Sequence, residues 1–248
     1  MLETTQYIIL GLVQGITEWL PISSDGHLVI FTELFGMKQD LAYEVFLHLA
    51  SFLVMVYYFR HDILSLIKSI FIRGEEREVT YVYKLLLTTL VTIIVALILE
   101  PYIDYFQNIR GVTWFLLLTT IVVAASKYSK SNREIGWSLA IILGIAQGAA
   151  VMPGLSRSGL MIGIALLSGV KVREAFRYAF LAAIPAIGGA YILKMNEITL
   201  STNYLFGFLA TLIVSLFVLR ILEIIVIRNK FYLFSIYTFL LALTLLII

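Results

Sequence analysis

Two stretches of this chain repeat one another without a gap, and any fold must accommodate both. Residues 9–28 read ILGLVQGITEWLPISSDGHL and residues 142–161 read ILGIAQGAAVMPGLSRSGLM, a constant offset of 133 positions. They agree at Ile9/Ile142, Leu10/Leu143, Gly11/Gly144, Gln14/Gln147, Gly15/Gly148, Ser23/Ser156 and Gly26/Gly159. Apolar segments broken by Gly and Pro at corresponding places in two halves point to a polar site inside a membrane. The copies differ in their charged groups. The first carries Glu18, Asp25 and His27 where the second has Val151, Ser158 and Leu160, and Arg157 stands opposite Ser24.

Composition supports a membrane setting. Of 248 residues 60% are hydrophobic and 14% charged, with a mean hydropathy of +0.96. A soluble domain could not hide that much apolar surface, so a polytopic membrane protein is expected, in contact with lipid and with no nucleic-acid partner. The absence of cysteine excludes disulfides, thiolate metal sites and a Cys nucleophile. The start, MLETTQYIIL, lacks a basic signal-peptide region, so the first apolar segment is expected to be retained.

Tyr7–Leu20 holds 14 residues before Pro21. At about 1.5 Å per residue this reaches roughly 21 Å, short of a ~30 Å hydrocarbon core. A polar turn, Ser23-Ser24-Asp25-Gly26, and a second short run, His27–Phe35, follow. Two half-length helices around a polar turn predict a re-entrant hairpin, and Trp137–Met152 with Ser158–Leu167 predicts another. Six segments are long enough to span, at about 42–59, 81–99, 112–125, 175–193, 204–227 and 232–248, while Ile63–Ile72 is amphipathic and suited to the surface.

The expected fold is therefore all-α, one transmembrane domain over residues 1–248. Repeat one covers about 1–127 and repeat two about 134–248, each a hairpin followed by three spans. Three spans are an odd number, so the second hairpin enters from the opposite side and the repeat is inverted. Loops on one side hold 11 Lys or Arg against Lys38, Arg110 and Lys194 on the other. Positive charge marks the cytoplasmic side, placing both termini and the first hairpin's mouth outside.

Gln14 and Glu18 share a helix face, and a carboxylate within a membrane is a functional candidate. Ser23, Ser24 and Asp25 precede a helix start, as Ser156 does in the second copy. A half-helix N-terminus at a polar midplane binds anions through its free N–H groups, and the Arg157 fork matches phosphate oxygens. Two such turns with arginine, acid and imidazole favour a phosphorylated ligand. The alternative for Arg157 is a structural salt bridge to Glu18. His48, in LHLAS, reads as an internal hydrogen-bond partner and His61 as interfacial.

These residues resemble a known family. The first motif is similar to the (Glu/Gln)-x-x-x-Glu and Pro-x-Ser-Ser-x-Gly-His signature of the undecaprenyl-diphosphate phosphatases, the bacitracin-resistance family. The second is similar to its Pro-Gly-x-Ser-Arg-Ser-Gly signature. The resemblance implies a plasma-membrane hydrolase that converts a polyprenyl diphosphate to the monophosphate and phosphate at the outer face. Such a reaction recycles a lipid carrier for cell-wall biogenesis and underlies bacitracin resistance. It also implies a divalent cation, Mg²⁺ or Ca²⁺. By position, the implied site is Gln14, Glu18, Ser23, Ser24, His27, Ser156, Arg157 and Ser158, with Gly154 in the second motif's turn. Asp25 stands where Thr or Ser is frequent, and Met161 replaces a usual Thr.

On this reading Arg157 and the helix N–H groups, with Ser23, Ser156, Ser158 and Gly154, bind the phosphates, and Glu18 with Gln14 holds the cation. His27 acts as acid–base or nucleophile, with Ser24 the competing nucleophile. The rival reading is a flippase or transporter of polyprenyl phosphate, because inverted repeats with broken helices are transporter architecture. An oligomer is compatible with either.

Overall fold

The computed structural model describes residues 2–37, 40–72, 75–128, 132–194 and 202–247; Lys38 and Arg73 of the loop-charge argument lie outside them. The first broken pair is α1 (Leu2–Thr17) and α2 (Ser24–Leu34). Then come α3 (Leu41–Tyr58), α4 (Arg60–Phe71), α5 (Glu76–Leu99), a short α6 (Ile103–Phe106) and α7 (Ile109–Ala125). The second broken pair is α8 (Trp137–Ala149) and α9 (Arg157–Leu167), followed by α10 (Val172–Lys194), α11 (Thr202–Ile227) and α12 (Phe234–Ile247). Among the described residues the remaining ladder contact is one isolated bridge, Arg133 to Val170.

Four helical stretches, those of α5, α7, α10 and α11, are long and apolar enough to cross a membrane. The α3–α4 pair, bent by 68°, makes a fifth. The sixth expected span is shorter than its hydropathy suggests. Its chain begins with a 3₁₀ turn at Phe231–Leu233, leaving α12 only 14 residues, about 21 Å. Beyond the bend, Leu64, Ile67 and Ile70 of α4 are about half exposed.

The duplicated glycines explain how the halves join. Each copy contains Gly-x-x-x-Gly, whose bare face lets another helix backbone approach. In the first copy a Cβ on Gly11 would collide with the Gly207 backbone of α11, and one on Gly15 would lie 2.9 Å from the Thr211 carbonyl. Thr211 Oγ1 donates to the Gly11 carbonyl at 2.8 Å across that contact. In the second copy a Cβ on Gly144 would lie 2.8 Å from the Thr88 carbonyl of α5, and one on Gly148 the same distance from that of Thr92. Thr92 Oγ1 donates to the Gly144 carbonyl at 3.2 Å. Each half therefore receives the other half's broken helix against its own second long helix. The third long helices of the two halves, α7 and α12, also pair, with Thr120 Oγ1 donating to Thr238 Oγ1 at 2.7 Å.

Leucine at Gly144 should thus force α8 off α5 and cost about 3 kcal/mol, within the range for overpacking a filled contact. Gly136, at the start of α8, has nothing within 4 Å of a would-be Cβ and provides the control. Thermal unfolding in detergent should show Gly144→Leu well below wild type and Gly136→Ala close to it. Equal melting of the two variants would refute the close backbone contact.

Candidate active site

The two broken pairs meet at their turns. α1 ends at Thr17, and Pro21, which has no backbone N–H, stands in the turn that follows. Ser23 caps α2: its Oγ accepts from Gly26 N at 3.2 Å and from Gly154 N of the other turn at 3.0 Å. Its φ of 68° lies in the left-handed region, unusual for a residue with a side chain. The two accepted bonds hold it there. Ser156 caps α9 in the same way, accepting from Gly159 N at 3.1 Å, and Ser158 Oγ donates to the Leu20 carbonyl at 3.1 Å. Gly154 has φ 103°, and a Cβ there would strike α7. Glycine is required at this contact.

Glu18 lies at the centre, its side chain 3% exposed. One carboxylate oxygen, Oε1, pairs with the Arg157 guanidinium. The other accepts from Ser24 Oγ at 2.7 Å and from Gln14 Nε2 at 2.9 Å. The first copy's acid and the second copy's guanidinium are thus brought together across the junction, with Ser24 aimed at the acid. The first-turn N–H groups of α2 and α9 have no intrahelical partner, and both helices begin beside this pair.

The junction opens on a cavity of about 600 Å³. Glu18, Ser23, Ser24, Asp25, Ser156 and Arg157 line its polar end. Ile93, Ala96 and Leu97 of α5 and Ala186, Ile187 and Ala190 of α10 form its apolar wall. Pro185 interrupts α10 at the start of that wall. One cavity therefore offers an anion-binding end and a hydrocarbon-lined groove, the two chemistries of a lipid with a phosphorylated head.

His27 is not brought to this cavity. It is buried, its Nδ1 2.7 Å from the Ser23 carbonyl and its Nε2 2.7 Å from the Tyr237 hydroxyl, with the two rings stacked. Both nitrogens are occupied, one of them by Tyr237 of α12. Ser158 and Gly154 brace the junction through Leu20 and Ser23 and are absent from the cavity lining. His48 of α3, read from the sequence as an internal hydrogen-bond partner rather than a site residue, lines the cavity with Nε2 3.1 Å from Asp25 Oδ1 and Nδ1 3.1 Å from Gln14 Nε2. A polar side chain in the apolar run EVFLHLAS was the available signal.

Gln14 and Glu18 do not fit a divalent cation as its principal ligands. Glu18 already accepts from three groups, and Gln14 presents its amide nitrogen to that carboxylate. Its orientation is decided by charge, since the amide oxygen there would face a carboxylate oxygen. Among the described residues no group of three or more His, Asp or Glu side chains is arranged to hold a metal ion.

A family model described as bacitracin resistance protein BacA matches residues 7–244. The chain is 37% identical to the undecaprenyl-diphosphatase of Methanococcus vannielii over 241 residues, covering 95% of this chain and 96% of that one. It is 36% identical to the undecaprenyl-diphosphatase of Korarchaeum cryptofilum, with 95% of each chain covered. It is 33% identical to undecaprenyl-diphosphatase 2 of Bacillus thuringiensis, covering 94% of this chain and 93% of the relative.

Proposed function

Because the chain belongs to the bacitracin resistance protein BacA family, we propose that it is a polyprenyl-diphosphate phosphatase working at the junction of its two broken helix pairs. The observation that carries this reading is the Ser24 hydroxyl, 2.7 Å from the buried Glu18 carboxylate, which pairs with the partly exposed Arg157 guanidinium. Moving a lipid phosphate requires anion binding alone. A hydroxyl paired with a base adds the means to break a bond, so hydrolysis is favoured over the flippase reading.

The steps follow from the geometry. The diphosphate lies at the polar end with its isoprenoid tail along α5 and α10. Ser24 Oγ attacks the terminal phosphorus while Glu18 Oε2 takes its proton, and the bond to the bridging oxygen breaks, releasing the polyprenyl monophosphate. Arg157 and the N–H groups at the starts of α2 and α9 stabilise charge on the transferring phosphoryl oxygens. Water then attacks the phosphoserine, Glu18 mediates the proton transfers, and inorganic phosphate leaves. A divalent cation, Mg²⁺ or Ca²⁺, would when bound supply further neutralisation of the diphosphate's charge.

We assign the chain to the plasma membrane as an inverted repeat of six spans and two re-entrant hairpins. Both termini and the cavity mouth face outward, in keeping with a role in recycling the lipid carrier. The 11-to-3 division of loop Lys and Arg supports that orientation. Single cysteines at Lys38 and Lys194 should react with a membrane-impermeant maleimide on intact cells, and one at Arg73 should not. The opposite pattern would invert the molecule. The function itself is tested by phosphate release from a long-chain polyprenyl diphosphate by purified protein, with and without chelator. Release should occur, fall on chelation and return with Mg²⁺. Translocation of the monophosphate in liposomes without any release would establish the flippase instead.

A further inference from the structure

His48 belongs to neither repeated motif, yet it connects three residues of the first one. Its hydrogen-bond roles follow from its partners. Asp25 Oδ1, a carboxylate oxygen, only accepts, so the hydrogen between it and His48 Nε2 at 3.1 Å sits on the imidazole. In the neutral imidazole Nδ1 then accepts, and Gln14 Nε2 lies 3.1 Å from it. The same amide nitrogen reaches Glu18 Oε2 at 2.9 Å. Its two hydrogens thus have two acceptors, and every partner in the chain Asp25, His48, Gln14, Glu18 is matched.

This chain matters once substrate arrives. Arg157 is a principal partner of Glu18, and a phosphate taking up the guanidinium weakens that hold. The carboxylate must still point Oε2 at Ser24, 2.7 Å away, for the hydroxyl to be activated. Besides Ser24 itself, the remaining side-chain donor to Glu18 is Gln14. Gln14 is fully buried on α1, and among the described residues its other heteroatom, Oε1, has no partner. Its orientation therefore rests on Glu18 and His48. Asp25 in turn fixes the imidazole, which gives a function to an acid placed where the family often has a short hydroxyl residue.

We propose that His48, anchored by Asp25, is a positioning residue that keeps Gln14 and Glu18 aimed at Ser24 while substrate occupies Arg157. The proposal rests on the phosphatase reading. Leucine at position 48 keeps the bulk and removes both bonds. Glutamine can imitate both, its amide nitrogen donating to Asp25 and its oxygen accepting from Gln14.

The test is steady-state phosphate release from a polyprenyl diphosphate, with kcat and KM resolved. His48→Leu should lower kcat by about 10- to 100-fold, the scale of a small misplacement of a reacting group, with KM changed less than about twofold. His48→Gln should recover to within about threefold of wild type. Asp25→Ala should lower kcat by itself and have little further effect in the His48→Leu background, because the two act through one path. Equal damage from Leu and Gln, a loss confined to KM, or fully multiplicative effects of positions 25 and 48 would overturn the inference. Should His48→Leu fail to fold, the comparison of His48→Gln with Asp25→Ala decides it: full activity in Asp25→Ala removes the anchor and the proposal with it. If wild type releases no phosphate, the phosphatase reading fails first.

Discussion

Alanine at Ser24 should lower phosphate release by about 10⁴-fold or more, the scale on which removing an enzyme's nucleophile acts. The hydroxyl is the attacking group in the proposed reaction, and no other hydroxyl donates to Glu18 among the described residues. Folding should be unaffected, because Ser24 is half-buried and the cap of α2 is supplied by Ser23. Alanine at His27 provides the contrast. It removes bonds to the Ser23 carbonyl and to Tyr237, and His27 does not itself line the cavity. The expected result is lower stability with turnover retained in the folded fraction. Single-turnover phosphate release, normalised to protein that still unfolds cooperatively, separates the two. Abolished chemistry in well-folded His27→Ala with Ser24→Ala near wild type would transfer the nucleophile to the imidazole.

Lysine at Arg157 should cost about 10²–10³ in rate, as loss of a preorganised donor to developing charge does. An ammonium keeps the countercharge for Glu18 but lacks the planar fork that can serve a carboxylate and a phosphate at once. Arg157 has that capacity: one terminal nitrogen is on Glu18, and its remaining N–H groups have no partner among the described residues. A purely structural ion pair would be preserved in large part by lysine. Turnover close to wild type in Arg157→Lys would therefore demote the residue to a brace between the two turns. The measurement is kcat/KM for phosphate release alongside the melting temperature of each variant.

Much of this site was legible because membrane solvation punishes ambiguity. Glu18 and Arg157 stand in apolar surroundings where a charge needs a reason and a partner, so both stood out as candidates, with their pairing present only as the alternative to phosphate binding. Both serine caps were readable from their place before a helix start. The direction in which His27 points was not. Its ring is held by Tyr237, 210 positions away, and no local pattern carries that contact. His48 was hidden for a similar reason: its partners lie 23 and 34 residues earlier on other helices. At the sixth expected span the extent was legible, Phe231–Ile247 being helical, but hydropathy could not see that Phe231–Leu233 winds as a 3₁₀ turn. The close packing at the paired glycines was not read from the sequence, because which helix each copy meets depends on the tertiary arrangement alone.

The exchange of broken helices between halves has a consequence for biosynthesis. The Thr211 bond to the Gly11 carbonyl closes a gap of 200 residues, so α1 is made long before its docking surface on α11 exists. Until then Glu18 has no Arg157, which follows it by 139 residues. Nascent chains arrested before Arg157 carry a carboxylate without its guanidinium, just past the end of a helix of only 16 residues. In that interval the N-terminal half is a client for the insertion machinery or for quality-control proteolysis. Assembly must therefore wait for the ribosome to finish most of the second half.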